Sequence, residues 1–174
     1  GLADGGHTFY VRAVDLAGNV DSSPDSRSFT IDSIAPTITI SFPVPNGANG
    51  WFISSPVAGT VTASDNLNVA SLSCSGASQG GLVGGGTPNA SRTLSVSGNG
   101  SHNVNCTASD GASNVSDSET IRIDTTAPSI TYIGRTPNAN GAGWNNSPVT
   151  LGWLCLDQTV DKFTPYIFQV VPNT

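Results

Sequence analysis

Few groups in this 174-residue chain could do chemistry: three cysteines, two histidines, 12 acidic side chains and one Gly-x-Ser-x-Gly match. Cys74, Cys106 and Cys155 form no Cys-x-x-Cys pair and no Cys/His cluster, so a zinc site is not expected. Gly76-Ala77-Ser78-Gln79-Gly80 has the pattern of a nucleophile elbow. That pattern works only where a strand-turn-helix corner exposes the serine, with a histidine and an acid behind it. Here it sits in a Gly/Ser-rich run with no helical pattern after it, and the chain is read as not an enzyme. Asp15 with Gly18-Asn19, and Asp110 with Ser113-Asn114, read as turns in which Asp accepts nearby N–H groups and Asn tolerates positive φ. Neither aspartate starts an EF-hand loop, because the ligand spacing fails at both. Trp51 and Trp144 could stack on sugar rings if exposed. The preferred reading makes them plugs at the end of a β-sandwich, since a chain this polar needs its large apolar groups inside.

The elements that must position these groups are short strands. Gly and Pro recur throughout (20 and 11 residues), Met is absent and only 10% of residues are charged, which argues against helices. Lys plus Arg total 6 against 12 acidic residues, a net charge of −6 with Lys162 the single lysine. A nucleic-acid binder needs a basic footprint that this chain lacks, and no apolar run approaches the length of a membrane span.

The chain repeats itself. Residues 5–20, GGHTFYVRAVDLAGNV, resemble residues 100–115, GSHNVNCTASDGASNV, so that His7 recurs as His102, Asp15 as Asp110 and Asn19 as Asn114. A histidine repeated in this way is read as structural. IDSIAPTITI at 31–40 recurs as IDTTAPSITY at 123–132, and PNGANGW ending at Trp51 recurs as PNANGAGW ending at Trp144. Ser55-Pro56-Val57 recurs as Ser147-Pro148-Val149, and Asp65 as Asp157, for a period of about 92 residues. Alternating segments at 37–40, 57–63, 69–75, 93–97, 102–107 and 120–123 predict six or seven strands between breakers. That number in one period fits an antiparallel β-sandwich.

The run A-x-D-x-A-G-N, then I-D-x-x-A-P, then N-G-x-G-W with S-P-V, resembles the bacterial Ig-like repeats of large secreted and cell-surface proteins. The resemblance covers roughly residues 1–157; residues 158–174 depart from it. It implies tandem Ig-like sandwiches with incomplete first and last repeats: 1–32 the end of one, 33–126 a whole one and 127–174 the start of a third, the chain being a piece of a longer polypeptide. It puts Cys74 and Cys106 on neighbouring strands of one sheet, where they form a disulfide or remain two buried thiols, with Cys155 partnerless. It brings the loops after the second and sixth strands to the end where the chain enters. Asp32, Asp65, Asp110 and Asn114 could then supply oxygen ligands to a Ca²⁺ ion, with Asp124 and Asp157 repeating part of the set. Turn chemistry is the competing reading of the same residues. The whole repeat has no lysine and cannot form the internal Lys–Asn isopeptide bond of some surface Ig-like domains.

The function implied is that of an extracellular or cell-surface spacer, stalk or adhesive module. Its partners would be neighbouring repeats, with a host-surface glycan or protein as a further candidate and no cofactor other than calcium. The alternative is a glycan- or protein-binding accessory module of a secreted multidomain protein.

Overall fold

A computed structural model describes residues 1–157 and 167–170. Among these residues the only helical element is a single 3₁₀ turn at Ala48–Gly50, and no helix is long and apolar enough to cross a membrane. Lys162 lies outside the described residues. The chain divides into two compact units. One holds Gly1–Pro43, Ala58–Val96 and Asn103–Thr120; the other holds Val44–Val57, Ser97–His102 and Ile121–Thr174. These boundaries differ from those of the sequence repeat.

The first unit opens with a hairpin of β1 (Gly5–Val11) and β2 (Asp25–Ile31), paired from Gly5↔Ile31 to Val11↔Asp25. The chain also forms two four-stranded sheets. One has the order β3-β5-β8-β7, from Thr37–Ser41, Val57–Val69, Thr87–Val96 and Ser78–Gln79. The other has the order β4-β10-β9-β6, from Trp51–Phe52, Asn114–Ile123, Gly100–Ser109 and Ser71–Ser75. Side chains alternate along a strand, so every second residue reaches the interior. In the first unit Val61 and Ala63 of β5, Leu94 and Val96 of β8, Leu72 of β6, and Val104, Cys106 and Ala108 of β9 are buried. The result is β-sandwich-like. Arg92 of β8 is part-buried and spends its charge on two carbonyls, Nε donating to Leu72 O at 2.6 Å and Nη1 to Gly80 O at 2.7 Å.

The second unit contains β4, the end of β10 and a three-stranded sheet, β11 (Ser129–Thr136), β12 (Val149–Leu156) and β13 (Ile167–Val170). β4 pairs with β10 in parallel, Trp51 opposite Arg122 and Phe52 opposite Ile123, an exception to the antiparallel expectation. β13 falls in the segment that departs from the repeat pattern, yet it pairs with β12 from Val149↔Val170 to Gly152↔Ile167.

The Gly/Ser-rich run 76–86, expected to be only a breaker, contains β7 and is shaped by strand packing. Gly76 has φ of +79°, and a Cβ there would collide with the Asn103 carbonyl; a Cβ at Gly80 would strike Thr93 Oγ1. The first glycine of the Gly-x-Ser-x-Gly match is thus required by the close approach of the Asn103 backbone, the second packs against the Thr93 side chain, and Ser78 is in β7 opposite Ser95, not at an elbow.

The hairpin is a sheet without a cover. Phe9 and Phe29 are 63% and 44% exposed, whereas the residues at their repeat positions, Val104 and Ile121, are 0% and 2% exposed. Amides of β1 and β2 should therefore exchange with solvent orders of magnitude faster than those of Val104–Ala108, by hydrogen-exchange mass spectrometry. Equal protection would show that the hairpin is held by contacts other than side-chain burial.

Candidate functional site: a three-carboxylate cluster

Three aspartates converge in the first unit. Asp32 directly follows β2, Asp65 lies within β5 and Asp110 directly follows β9. One side-chain oxygen from each lies within 4.8 Å of one from each of the others. Asp65 corrects the sequence expectation: β5 runs on to Val69, so the residue is part of a strand rather than of a loop after it.

Each carboxylate uses one oxygen locally and leaves the other unused. Leu67 N–H and Asn68 N–H donate to Asp65 Oδ1 at 2.8 and 3.0 Å. Ala112 N–H and Ser113 N–H donate to Asp110 Oδ1 at 2.6 and 2.5 Å. Asp32 accepts from the Ile34 backbone N–H. The remaining oxygens, Asp32 Oδ1, Asp65 Oδ2 and Asp110 Oδ2, are buried without a hydrogen-bond partner, and Asp110 is only 7% exposed. An unpaired buried carboxylate oxygen costs free energy unless something compensates it. Turn chemistry and cation binding are therefore not alternatives here: one oxygen of each group makes the turn and the other remains available.

The field at the cluster is one-signed. Burial first, then Asp65, and with smaller effect Asp110 and Asp4, push the Asp32 carboxyl above the ordinary value of 3.8, against the opposing hydrogen bond from Ile34. Asp4 is nearby but satisfied. Ser33 Oγ donates to its Oδ1 at 2.7 Å and Asn66 Nδ2 to its Oδ2 at 3.0 Å, and its pKa is lowered, chiefly by Ser33. A carboxyl raised on folding makes the native state bind the extra proton. In chelator, stability should then fall as pH rises from 3.8 through the raised value for Asp32. Melts across that window check the sign, and Asp32→Asn should flatten the slope.

The other residues singled out in the sequence separate clearly. Asn114 is exposed at the start of β10, and the cluster forms without it. At the equivalent hairpin Asn19 Nδ2 does donate to Asp15 Oδ2, at 2.8 Å, while Ala17 and Asn19 N–H groups hold Oδ1, so Asp15 is a fully satisfied turn residue. Both histidines have the same role: His7 Nε2 bonds Ala3 O at 2.7 Å and His102 Nε2 bonds Gly98 O at 2.9 Å. Cys74 and Cys106 form a disulfide between directly opposed residues of β6 and β9, and Cys155 is a half-buried free thiol. Trp51 is half-buried with Phe52 buried beside it, whereas Trp144 is 72% exposed and so does not act as a plug. Asp124 and Asp157, the period counterparts of Asp32 and Asp65, line a separate cleft in the second unit.

Sequence reasoning missed the contact of Asp4 with Asn66 and the role of Arg92. Neither carries a local motif, since both depend on partners distant in sequence. No protein family, no curated protein and no solved structure matches the chain.

Proposed function

We propose that the chain is a stretch of tandem Ig-like repeats from a secreted or cell-surface bacterial protein, acting as a spacer or adhesive stalk. In this reading a calcium ion held by Asp32, Asp65 and Asp110 stiffens the joint where one repeat enters the next. The observation that carries it is the set of three buried oxygens left without partners in a group of like charges. The donor set suits a hard cation that takes carboxylate, carbonyl and water oxygens. When bound, calcium would neutralise the repulsion and tie residue 32, which enters the repeat, to β5 and to the loop after β9.

Contacts that recur at the sequence period support the repeat reading. The two histidine–carbonyl bonds are one pair. Asp4 bonded to Ser33 corresponds to Asn99 bonded to Thr125, whose Oγ1 donates to Asn99 Oδ1 at 2.8 Å. Asp32 bonded to Ile34 N–H corresponds to Asp124 bonded to Thr126 N–H at 3.0 Å. The Ala35-Pro36 and Ala127-Pro128 linkers restrict backbone freedom at each entry point, which favours a rod over a slack string. The disulfide is compatible with an oxidising compartment.

Isothermal titration of the whole chain with calcium chloride tests the reading. One saturable site should appear, and Asp110→Asn should remove it. Absence of binding to the unsubstituted chain returns these carboxylates to turn chemistry and leaves a passive spacer.

A further inference from the structure

Three carboxylates of like charge must stay together before a calcium ion arrives if the site is to bind it tightly. Two of their segments are joined by the main chain. Ala70, the residue after β5, donates its N–H to Ser109 O at 2.7 Å, directly before Asp110. Asp32 is placed differently. β2 ends at Ile31 and β3 begins at Thr37, opposite Ser64, so Asp32 stands in a stretch between two strands. Repulsion from Asp65 and Asp110, felt at Asp32, acts to push that stretch away from them.

Asp4 spans the gap. Its Oδ1 accepts from Ser33 Oγ at 2.7 Å, and its Oδ2 accepts from Asn66 Nδ2 at 3.0 Å. Ser33 directly follows Asp32, and Asn66 directly follows Asp65. One rigid carboxylate therefore holds the neighbours of two cluster residues, 29 positions away in sequence on one side and 62 on the other. Asp4 directly precedes Gly5 of β1, which pairs with Ile31 of β2, so the hairpin end that carries Asp32 also carries its brace. Each Asp4 oxygen has a partner, whereas each cluster aspartate keeps one buried oxygen without one.

We infer, on the reading of the Asp32–Asp65–Asp110 cluster as a calcium site, that Asp4 is a positioning residue for it: a brace that fixes Asp32 beside Asp65 without itself ligating the ion. A site assembled beforehand avoids the entropy loss of ordering Asp32 on binding. Removing a group that orients a metal's ligands from outside the coordination shell lowers affinity roughly 10–100-fold. Asp4 is half-buried and both of its donors, Ser33 and Asn66, are exposed, so the lower end of that range applies.

Isothermal titration of the whole chain with calcium chloride tests this, in about 0.5 M potassium chloride so that the charge of Asp4 is largely screened. Asp4→Ala should weaken binding about tenfold. Asp4→Asn keeps an oxygen for Ser33 and an amide that can bond Asn66 once that side chain turns, so affinity should return to within about threefold of the unsubstituted chain. Asn66→Ala should weaken binding less than Asp4→Ala does. The double variant should bind as Asp4→Ala alone, because the Asn66 contact is already lost. Melting temperatures in chelator should stay close to that of the unsubstituted chain. Calcium binding by Asp4→Ala that is as tight as in the unsubstituted chain overturns this inference and leaves the calcium site standing, whether or not the variant melts lower in chelator. Asp4→Asn binding as weakly as Asp4→Ala makes Asp4 a ligand or a charge rather than a brace and overturns it too, as do additive losses in the double variant. No binding by the unsubstituted chain removes the calcium site and the brace together.

Discussion

Calcium in hundredfold excess over its dissociation constant should stabilise the chain by about 2.7 kcal/mol relative to chelator. For a chain of 174 residues that is a rise in Tm on the order of 5–10 °C. The decisive variant is Asp110→Asn. Its amide oxygen can still accept from Ala112 and Ser113 N–H, so the turn after β9 survives. It removes one of the three charges, and the sign of its effect should therefore depend on the buffer. In chelator the variant should melt at or above the temperature of the unsubstituted protein, because repulsion with Asp32 and Asp65 is relieved. In calcium it should melt below it, because the ligand is lost. A variant that destabilises equally in both buffers would mean that Asp110 serves the turn alone. Differential scanning fluorimetry in the two buffers reads all four midpoints.

Removing the Cys74–Cys106 bridge should have an effect of similar size with no calcium dependence. The two residues are 32 apart in sequence. Opening a loop of that length releases chain entropy in the unfolded state worth about 3–4 kcal/mol. The paired variant Cys74→Ala with Cys106→Ala avoids placing a hydroxyl at Cys106, which is fully buried. A fall in Tm on the order of 10 °C is expected, matched by reduction of the unsubstituted protein. Cys155→Ser should change neither result, since that thiol has no disulfide partner. An unchanged midpoint after verified reduction would show that the bridge contributes nothing to stability.

The regular strands were legible because a half-buried strand writes its period into the sequence. Val57–Ala63 and His102–Thr107 alternate, and each lies inside a strand with its apolar positions buried. The pairing of Cys74 with Cys106 needed more than alternation. It needed the family resemblance to say which strands are neighbours, and the antiparallel register places the two directly opposite. Where strands depart from regularity the sequence was silent. β7 hides in a Gly/Ser-rich run because its glycines answer to Asn103 and Thr93 across space rather than to a local turn code. β4 is only two residues long and pairs in parallel with a strand about 70 residues away, a contact with no local signature.

Composition, period and alternation by themselves determined that this chain is all-β, internally repetitive and turn-rich, because those properties are sums over local preferences. They also put an aspartate, Asp15 and Asp110, at the same turn of successive repeats. Tertiary structure alone decided which of these matter. Asp15 and Asp110 occupy the same repeat position and hold the same kind of turn, yet Asn19 satisfies the second oxygen of Asp15, while that of Asp110 is buried without a partner beside Asp32 and Asp65. The difference is set by what lies across space from each carboxylate, and a hydrogen-bond deficit in a low-dielectric, like-charged site exists only once the chain has folded around it.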